Sequence, residues 1–339
     1  MFATPARTPM TIGPTARGSW NLSRLTGSFL ALAVSAVSAA AGQSNAPPPD
    51  KPSRIKTETV ASGLAHPWAL QFLPDGRLLV TERPGRMRIV TRDGKLGEPV
   101  AGVPAVAATG QGGLLDVALA PDFAASGTVY FSFSEPRENS ASATALARAK
   151  LILDDKGSGR LEGLDIIFRQ QPAFASSHHF GSRIVFAKDG SLFVTTGDRG
   201  IGRAQVQDPT THIGKVIHLK PDGTPASLAP AAAGWDPKVW SLGHRNLQGA
   251  VLDPATGTLW TVEHGARGGD ELNRPERGKN YGWPVITYGR DYSGAKIGEG
   301  SAKPGMEQPV YYWDPSIATS GLAIYNGDLF PDWKGNLFV

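Results

Sequence analysis

One short phrase recurs along this chain: an apolar, β-branched run, a Pro-Asp or Asp-Gly turn, and a second such run. It reads Leu70-Gln71-Phe72-Leu73-Pro74-Asp75-Gly76-Arg77-Leu78-Leu79-Val80 at its first appearance. It returns as Val117-Ala118-Leu119-Ala120-Pro121-Asp122 with Thr128-Val129-Tyr130-Phe131, and again over 184–194 around Asp189-Gly190. Ala250-Val251-Leu252-Asp253-Pro254 with Leu259-Trp260-Thr261-Val262 is a fourth copy, and 327–332 with 335–339 a fifth. Gly accepts φ > 0 and Pro presets the turn, so each copy predicts a β-hairpin. Five hairpins with almost no long segment of helical period predict all-β radial repetition, a β-propeller, with a β-sandwich as the alternative. The last copy breaks off at Leu337-Phe338-Val339 without a closing turn, which predicts a last blade truncated in mid-strand.

The beginning of the chain reads as an address. Arg7, Arg17 and Arg24 precede an uncharged stretch from Leu25 to Ala41 and a small-residue exit at Ser38-Ala39-Ala40-Ala41-Gly42. That is the pattern of a secretory signal over 1–42, and the stretch is too diluted by Ser, Thr and Gly for a membrane anchor. Residues 43–54, with Pro47-Pro48-Pro49, read as a flexible linker, and 55–339 as the propeller domain. The formal charge of +4 falls to +1 without the leader, which carries three arginines and no acid, so nothing points to nucleic acid. Cysteine is absent. An exported domain without disulfides must then rely on its core or on bound metal.

Four polar clusters lie between the hairpins, where propeller loops gather. His178-His179 and Asp198 flank one hairpin, so equal strands would bring the carboxylate to an imidazole. Such a pair either makes a base by fixing the tautomer or simply ties a loop. Arg245-Asn246-Leu247-Gln248 between glycines suits a planar, oxygen-rich anion, because guanidinium pairs with carboxylates at two points, with a salt-bridged, solvated turn as the alternative. Glu263 to Asn273 combines acids with a glycine-rich backbone able to expose carbonyls. It could hold calcium, although alone it reads better as a solvated acidic loop. Lys279 to Pro284 reads as a packed corner, with Asp291 beyond it as a second cation ligand beside Glu271. Gly110-Gln111-Gly112-Gly113 lacks a phosphate-loop lysine, and the chain has neither a G-x-S-x-G elbow nor an H-E-x-x-H helix.

Taken in order, Gly110-Gln111-Gly112-Gly113-Leu114-Leu115, His179-Phe180-Gly181-Ser182-Arg183, Thr196-Gly197-Asp198, Gly243-His244-Arg245-Asn246, Glu263-His264-Gly265, Asp270-Glu271-Leu272-Asn273 and Asn280-Tyr281-Gly282-Trp283-Pro284 resemble the soluble PQQ-dependent aldose sugar dehydrogenases, relatives of soluble glucose dehydrogenase. The resemblance implies a six-bladed propeller that oxidises a β-aldose at C1 to a lactone, with pyrroloquinoline quinone (PQQ) and calcium as cofactors. It makes His179 the general base and Asp198 its orienting partner. It places Arg245, Asn246, His264, Asp270 and Ser316 at the cofactor, and Gln111 and His178 at the sugar. The carbonyls of Gly265 and Ala266 would hold the cofactor's calcium. Glu271, Asp291 and carbonyls near Thr287 and Gly289 would hold a second, structural one. His264 and His178 depart from the glucose-specific relatives, which favours a broader aldose pocket. The resemblance further implies a periplasmic monomer or homodimer that hands its electrons to an external acceptor. A propeller that binds ligand or protein without chemistry, as in animal hedgehog-interacting proteins, and a calcium-dependent lactonase are the alternatives.

Overall fold

The computed structural model describes residues 3–4, 56–154, 157–227 and 229–339. The expected leader and linker lie outside the described residues, apart from Ala3–Thr4. Four sheets follow one another, each an antiparallel meander of four strands in chain order. The first takes Pro67–Phe72, Leu78–Glu82, Arg86–Val90 and Leu96–Pro99, and the second Leu114–Leu119, Thr128–Pro136, Ser142–Leu153 and Gly159–Arg169. Ile184–Phe186, Leu192–Thr195, Lys215–Leu219 and Val239–Leu242 form the third; Leu247–Leu252, Leu259–Glu263, Asp270–Asn273 and Tyr311–Trp313 form the fourth. The first strands of neighbouring sheets approach one another, so they line the axis of an all-β propeller.

Each of the first four predicted hairpins is the inner pair of strands of one blade. At Leu73-Pro74-Asp75-Gly76 the turn closes with Gly76 N–H on the Leu73 carbonyl at 2.8 Å, and Gly76 takes φ +85°. A side chain there would be strained, which is why glycine ends the phrase. The strands carry apolar residues on both sides because both faces are covered. Leu192 and Val194 pack toward the second blade, in a cluster with Leu146 and Phe168. Phe193 packs on the other side with Leu247 and Leu259 of the fourth.

A repeated latch joins the blades. Five residues after the turn glycine, Thr81 donates its hydroxyl to the Leu115 carbonyl of the next blade at 2.6 Å. Ser132 does the same to Ser182 at 2.7 Å and Thr195 to Leu247 at 2.9 Å. Each gives a backbone carbonyl a hydroxyl donor where one blade gives way to the next.

Two expectations are corrected at the fifth copy. Its first strand is Ala323–Ile324 rather than 327–330, and Pro331–Trp333 forms a 3-10 turn. The Tyr325 hydroxyl accepts the Phe330 N–H at 3.1 Å, which curls the segment away from the sheet. A truncated last blade is not borne out either. Leu337–Phe338 is the middle strand of three, between Ala323–Ile324 and Ala3–Thr4, and is not an open edge.

Candidate functional site

The connections 170–183, 196–214, 243–246 and 264–269 are stitched together by backbone bonds at one end of the third and fourth blades. Asp198 N–H donates to the Arg245 carbonyl at 2.8 Å, and Arg199 N–H to that of His179 at 3.3 Å. A Cβ on Gly197 would stand 2.1 Å from the His179 carbonyl oxygen, so only glycine permits this approach. His179, Ser182 and Arg199 hold φ of 51°, 98° and 58°, a region that L-residues avoid unless their surroundings impose it.

The predicted pair forms. His179 Nδ1–H donates to Asp198 Oδ1 at 2.5 Å, and both side chains are buried. Gly200 N–H reaches the same oxygen at 2.7 Å, and the Trp283 indole N–H reaches Oδ2 at 2.8 Å. Burial, the largest influence, pushes the Asp198 carboxyl up. The hydrogen bond and charge of His179, with Gly200 and Arg245, outweigh it and hold the acid below its ordinary range. Burial lowers His179; Asp198 opposes that shift, while Arg245 and His178 reinforce it. The result is a neutral imidazole beside an ionised carboxylate, with the proton on Nδ1 and the lone pair on Nε2. The backbone N–H of His179 is tied to Gln111 Oε1 at 2.7 Å. Gln111 therefore braces the loop that carries His179. His178 is exposed, its ring edge-on to His179 with centroids 6.0 Å apart.

Arg245 and Asn246 are buried next to this pair. Arg245 N–H donates to Glu263 Oε2 at 2.6 Å, and its Nη1 reaches the carbonyls of His264, at 3.2 Å, and Gly265. Among the described residues, its buried Nε has no partner, nor has Nε2 of His264. Burial also holds His264 below its ordinary value; the charge of Asp270 opposes this and Arg245 adds to it. Asn246 Oδ1 accepts the Gly181 N–H at 3.0 Å. Asp270 is a clamp. It accepts Gly265 N–H at 2.8 Å and the Ser316 hydroxyl at 2.6 Å on one oxygen, and Ile317 and Ala318 N–H at 2.9 and 2.7 Å on the other. Ser316 and the 265 loop are thus positioned by one buried acid. His244, in the predicted anion cluster, is spent on Glu263 and Ser241, each at 2.9 Å.

The expected cation ligands divide. The Gly265 carbonyl already attracts a positive group, the Arg245 guanidinium, and Ala266 follows it in the same buried loop. Glu271 faces Glu263 on the neighbouring strand and takes Asn273 Nδ2–H at 3.0 Å. Burial, followed by the charge of Glu263, pushes it up to about 8. Asp291 turns instead to Arg203 at 3.5 Å and to the Ser293 hydroxyl at 3.0 Å. The Thr287 hydroxyl takes the Gly289 N–H at 3.1 Å. Among the described residues no three His, Cys, Asp or Glu side chains converge as metal ligands, so any cation here would rest largely on backbone oxygens.

Sequence reasoning missed two members. Trp283, read as a packed corner, also donates to Asp198. Arg199 is fully buried, with its guanidinium 3.4 Å above the Phe180 ring and bonded to the Ser142 hydroxyl at 3.0 Å and the carbonyls of Ser176 and His178. Burial lowers it to about 9, with Asp198 opposing. No local signal marked Arg199, because a charged pair after a strand ordinarily faces solvent, and its burial follows from contacts made by distant loops.

Comparison with known proteins places this geometry. Residues 64–339 match the Glucose / Sorbosone dehydrogenase family. The aldose sugar dehydrogenase of Escherichia coli is 43% identical over 293 residues, which span 85% of this chain and 78% of that protein. A crystal structure of a glucose dehydrogenase, 48% identical, superimposes with a TM-score of 0.79 over 83% of this chain and 82% of its own. The PQQ-bound aldose sugar dehydrogenase of Streptomyces coelicolor is 32% identical, with a TM-score of 0.67 over 85% of this chain and 77% of its own. These relatives are oxidoreductases. With the family matched over most of its length, this chain belongs to the Glucose / Sorbosone dehydrogenases.

Proposed function

We propose that this chain oxidises aldose sugars at C1 to lactones, with PQQ as electron acceptor and calcium beside it. The observation that carries the reading is the buried His179–Asp198 pair, with its Nε2 lone pair free, next to the unsatisfied guanidinium Nε of Arg245. The donor set fits the cofactor. Among the described residues, Arg245 Nε and His264 Nε2 are buried polar atoms without partners, which leaves both available to a ligand rich in carboxylates and carbonyls. The oxygen face at Gly265 suits a cation, since it already draws a guanidinium.

PQQ supplies the hydride-accepting carbon, and calcium its Lewis acid. The chain's own groups do the rest. Arg245 and Asn246 would hold the anion, while Asp270 fixes the loops that carry Gly265 and Ser316. His179 Nε2 takes the proton of the anomeric hydroxyl as the C1 hydride departs, which turns a hemiacetal into a lactone. Asp198 keeps the proton on Nδ1 and balances the charge that His179 acquires. Gln111 and His178 flank the sugar side, and the wider aldose range follows from His178 and His264. Closure into six blades, a second calcium at Glu271, Thr287 and Gly289 that Asp291 would join only by releasing Arg203, export to the periplasm behind a 1–42 leader and an external electron acceptor complete the proposal. No helix of the described residues is long and apolar enough to cross a membrane.

The test is reconstitution of the purified protein with PQQ and calcium, followed by dye reduction over a panel of aldoses with an EDTA control. Sugar-dependent reduction that needs both additions supports the reading, and His179→Ala should abolish it while PQQ still binds. Failure to bind PQQ refutes it.

A further inference from the structure

We propose that Trp283 is a positioning residue for the base, its indole N–H fixing the carboxylate that orients His179; this rests on the role proposed for His179. Asp198 has two oxygens in a buried site. Oδ1 serves His179 and Gly200, and among the described residues the only side chain that serves Oδ2 is Trp283, at 2.8 Å. The indole is itself held from several sides. Trp283 N–H donates to the Gly243 carbonyl at 2.9 Å, and its own carbonyl takes Gln207 Nε2–H at 2.7 Å. Its ring packs with Val206, Ile213 and Ala266, and the guanidinium carbons of Arg203 and Arg245 each stand 5.3 Å from its centroid. Packing alone would be met by phenylalanine. What the indole adds is one donor aimed at a buried carboxylate 85 residues away in the chain.

That donor has a directional effect. It shares the negative charge of Asp198, so less of that charge falls on His179 Nδ1–H. Without it the carboxylate leans harder on the imidazole, stabilises the imidazolium and moves the His179 titration upward. The other charged or titratable groups that bear on the ring are Arg245, His178 and His264, with Arg199 bearing on Asp198. Trp283→Phe leaves all of them in place, so a shift reports the lost donor.

The experiment uses the full chain without cofactor, labelled with 15N in histidine and tryptophan. Trp283→Phe should raise the His179 midpoint by about 0.5–1 pH unit, a three- to tenfold change in proton affinity. An unchanged midpoint in a folded variant, whatever its thermal stability, would overturn the proposal. If the variant does not fold, the native protein answers: the Trp283 indole resonance should follow the His179 titration and lose that response in His179→Ala. A resonance indifferent to His179 would equally overturn it. With PQQ and calcium, the acid limb of kcat/KM should move upward in step. If the native protein proves unable to oxidise any aldose, the functional reading fails while the resonance shifts still decide the role of Trp283.

Discussion

Replacing Asp198 by Asn keeps the shape of the side chain and removes its charge, and the geometry dictates the cost. Three N–H groups converge on this carboxylate, from His179, Gly200 and Trp283, and a carboxamide has only one oxygen to offer them. If the oxygen stays with His179 and Gly200, the new NH2 meets the indole N–H donor to donor. His179 keeps its tautomer but loses the counter-charge for its protonated form. If the amide flips, Nδ1 must accept, and the ring proton moves to Nε2, the atom needed as base. Either way one buried donor is stranded, at about 1–3 kcal/mol, and the surviving bonds lose charge assistance worth about 1 kcal/mol each. A loss of about 2–5 kcal/mol in stability at neutral pH follows. General-base catalysis contributes about 10²–10⁴-fold, so kcat should fall by about that factor while PQQ binding persists. The pH dependence has a definite sign. The Asp198 pKa is lowered in the fold, so its stabilisation is complete above the unfolded value of about 3.9 and is lost as pH falls through the lower, folded value. Denaturant unfolding should show the gap between native and variant narrowing as pH drops from about 5 to about 3. A variant that keeps more than a tenth of the native rate, or a gap indifferent to acid, would refute the reasoning.

Arg245→Ala should weaken PQQ binding about tenfold or more, by loss of a charge-assisted contact, and should also loosen the 264–265 loop, since the backbone N–H to Glu263 remains but the guanidinium bonds to the His264 and Gly265 carbonyls are lost; direct titration of PQQ into the apo protein measures the binding. Glu271 holds its proton more tightly folded than unfolded, so in EDTA its stabilising share is full below about 4.5 and is lost as pH rises through about 8. Glu271→Gln keeps a polar partner for Asn273 without the charge, and thermal unfolding across that window should show a flatter decline than in the native protein. An equal slope in both would mean that neither burial nor the facing Glu263 presses the proton onto Glu271.

What was legible in the sequence follows from chain distance and from how many walls a strand must satisfy. The inner hairpins could be read because one turn sets their register, as in the pairing of Ile184 with Val194 and Phe186 with Leu192. That same hairpin made the His179–Asp198 contact predictable, since the two residues lie just beyond its paired ends. Outer strands such as Gly159–Arg169 escaped notice because one side faces solvent and glutamate, arginine and aspartate interrupt the apolar pattern. At the fifth copy the phrase was present but its environment was not: Leu329 is 88% exposed, so the apolar run there is not part of a strand buried on two faces. The donor from Trp283 is the deepest omission. Nothing local in Asn280-Tyr281-Gly282-Trp283-Pro284 says where the indole points. Its partner is chosen by Gly243 and Gln207, which seat its backbone, and by Arg203 and Arg245, which flank its ring. A packed aromatic corner and an electrostatic support for a base are the same residue here, and burial alone cannot separate them. The direction of a single N–H does.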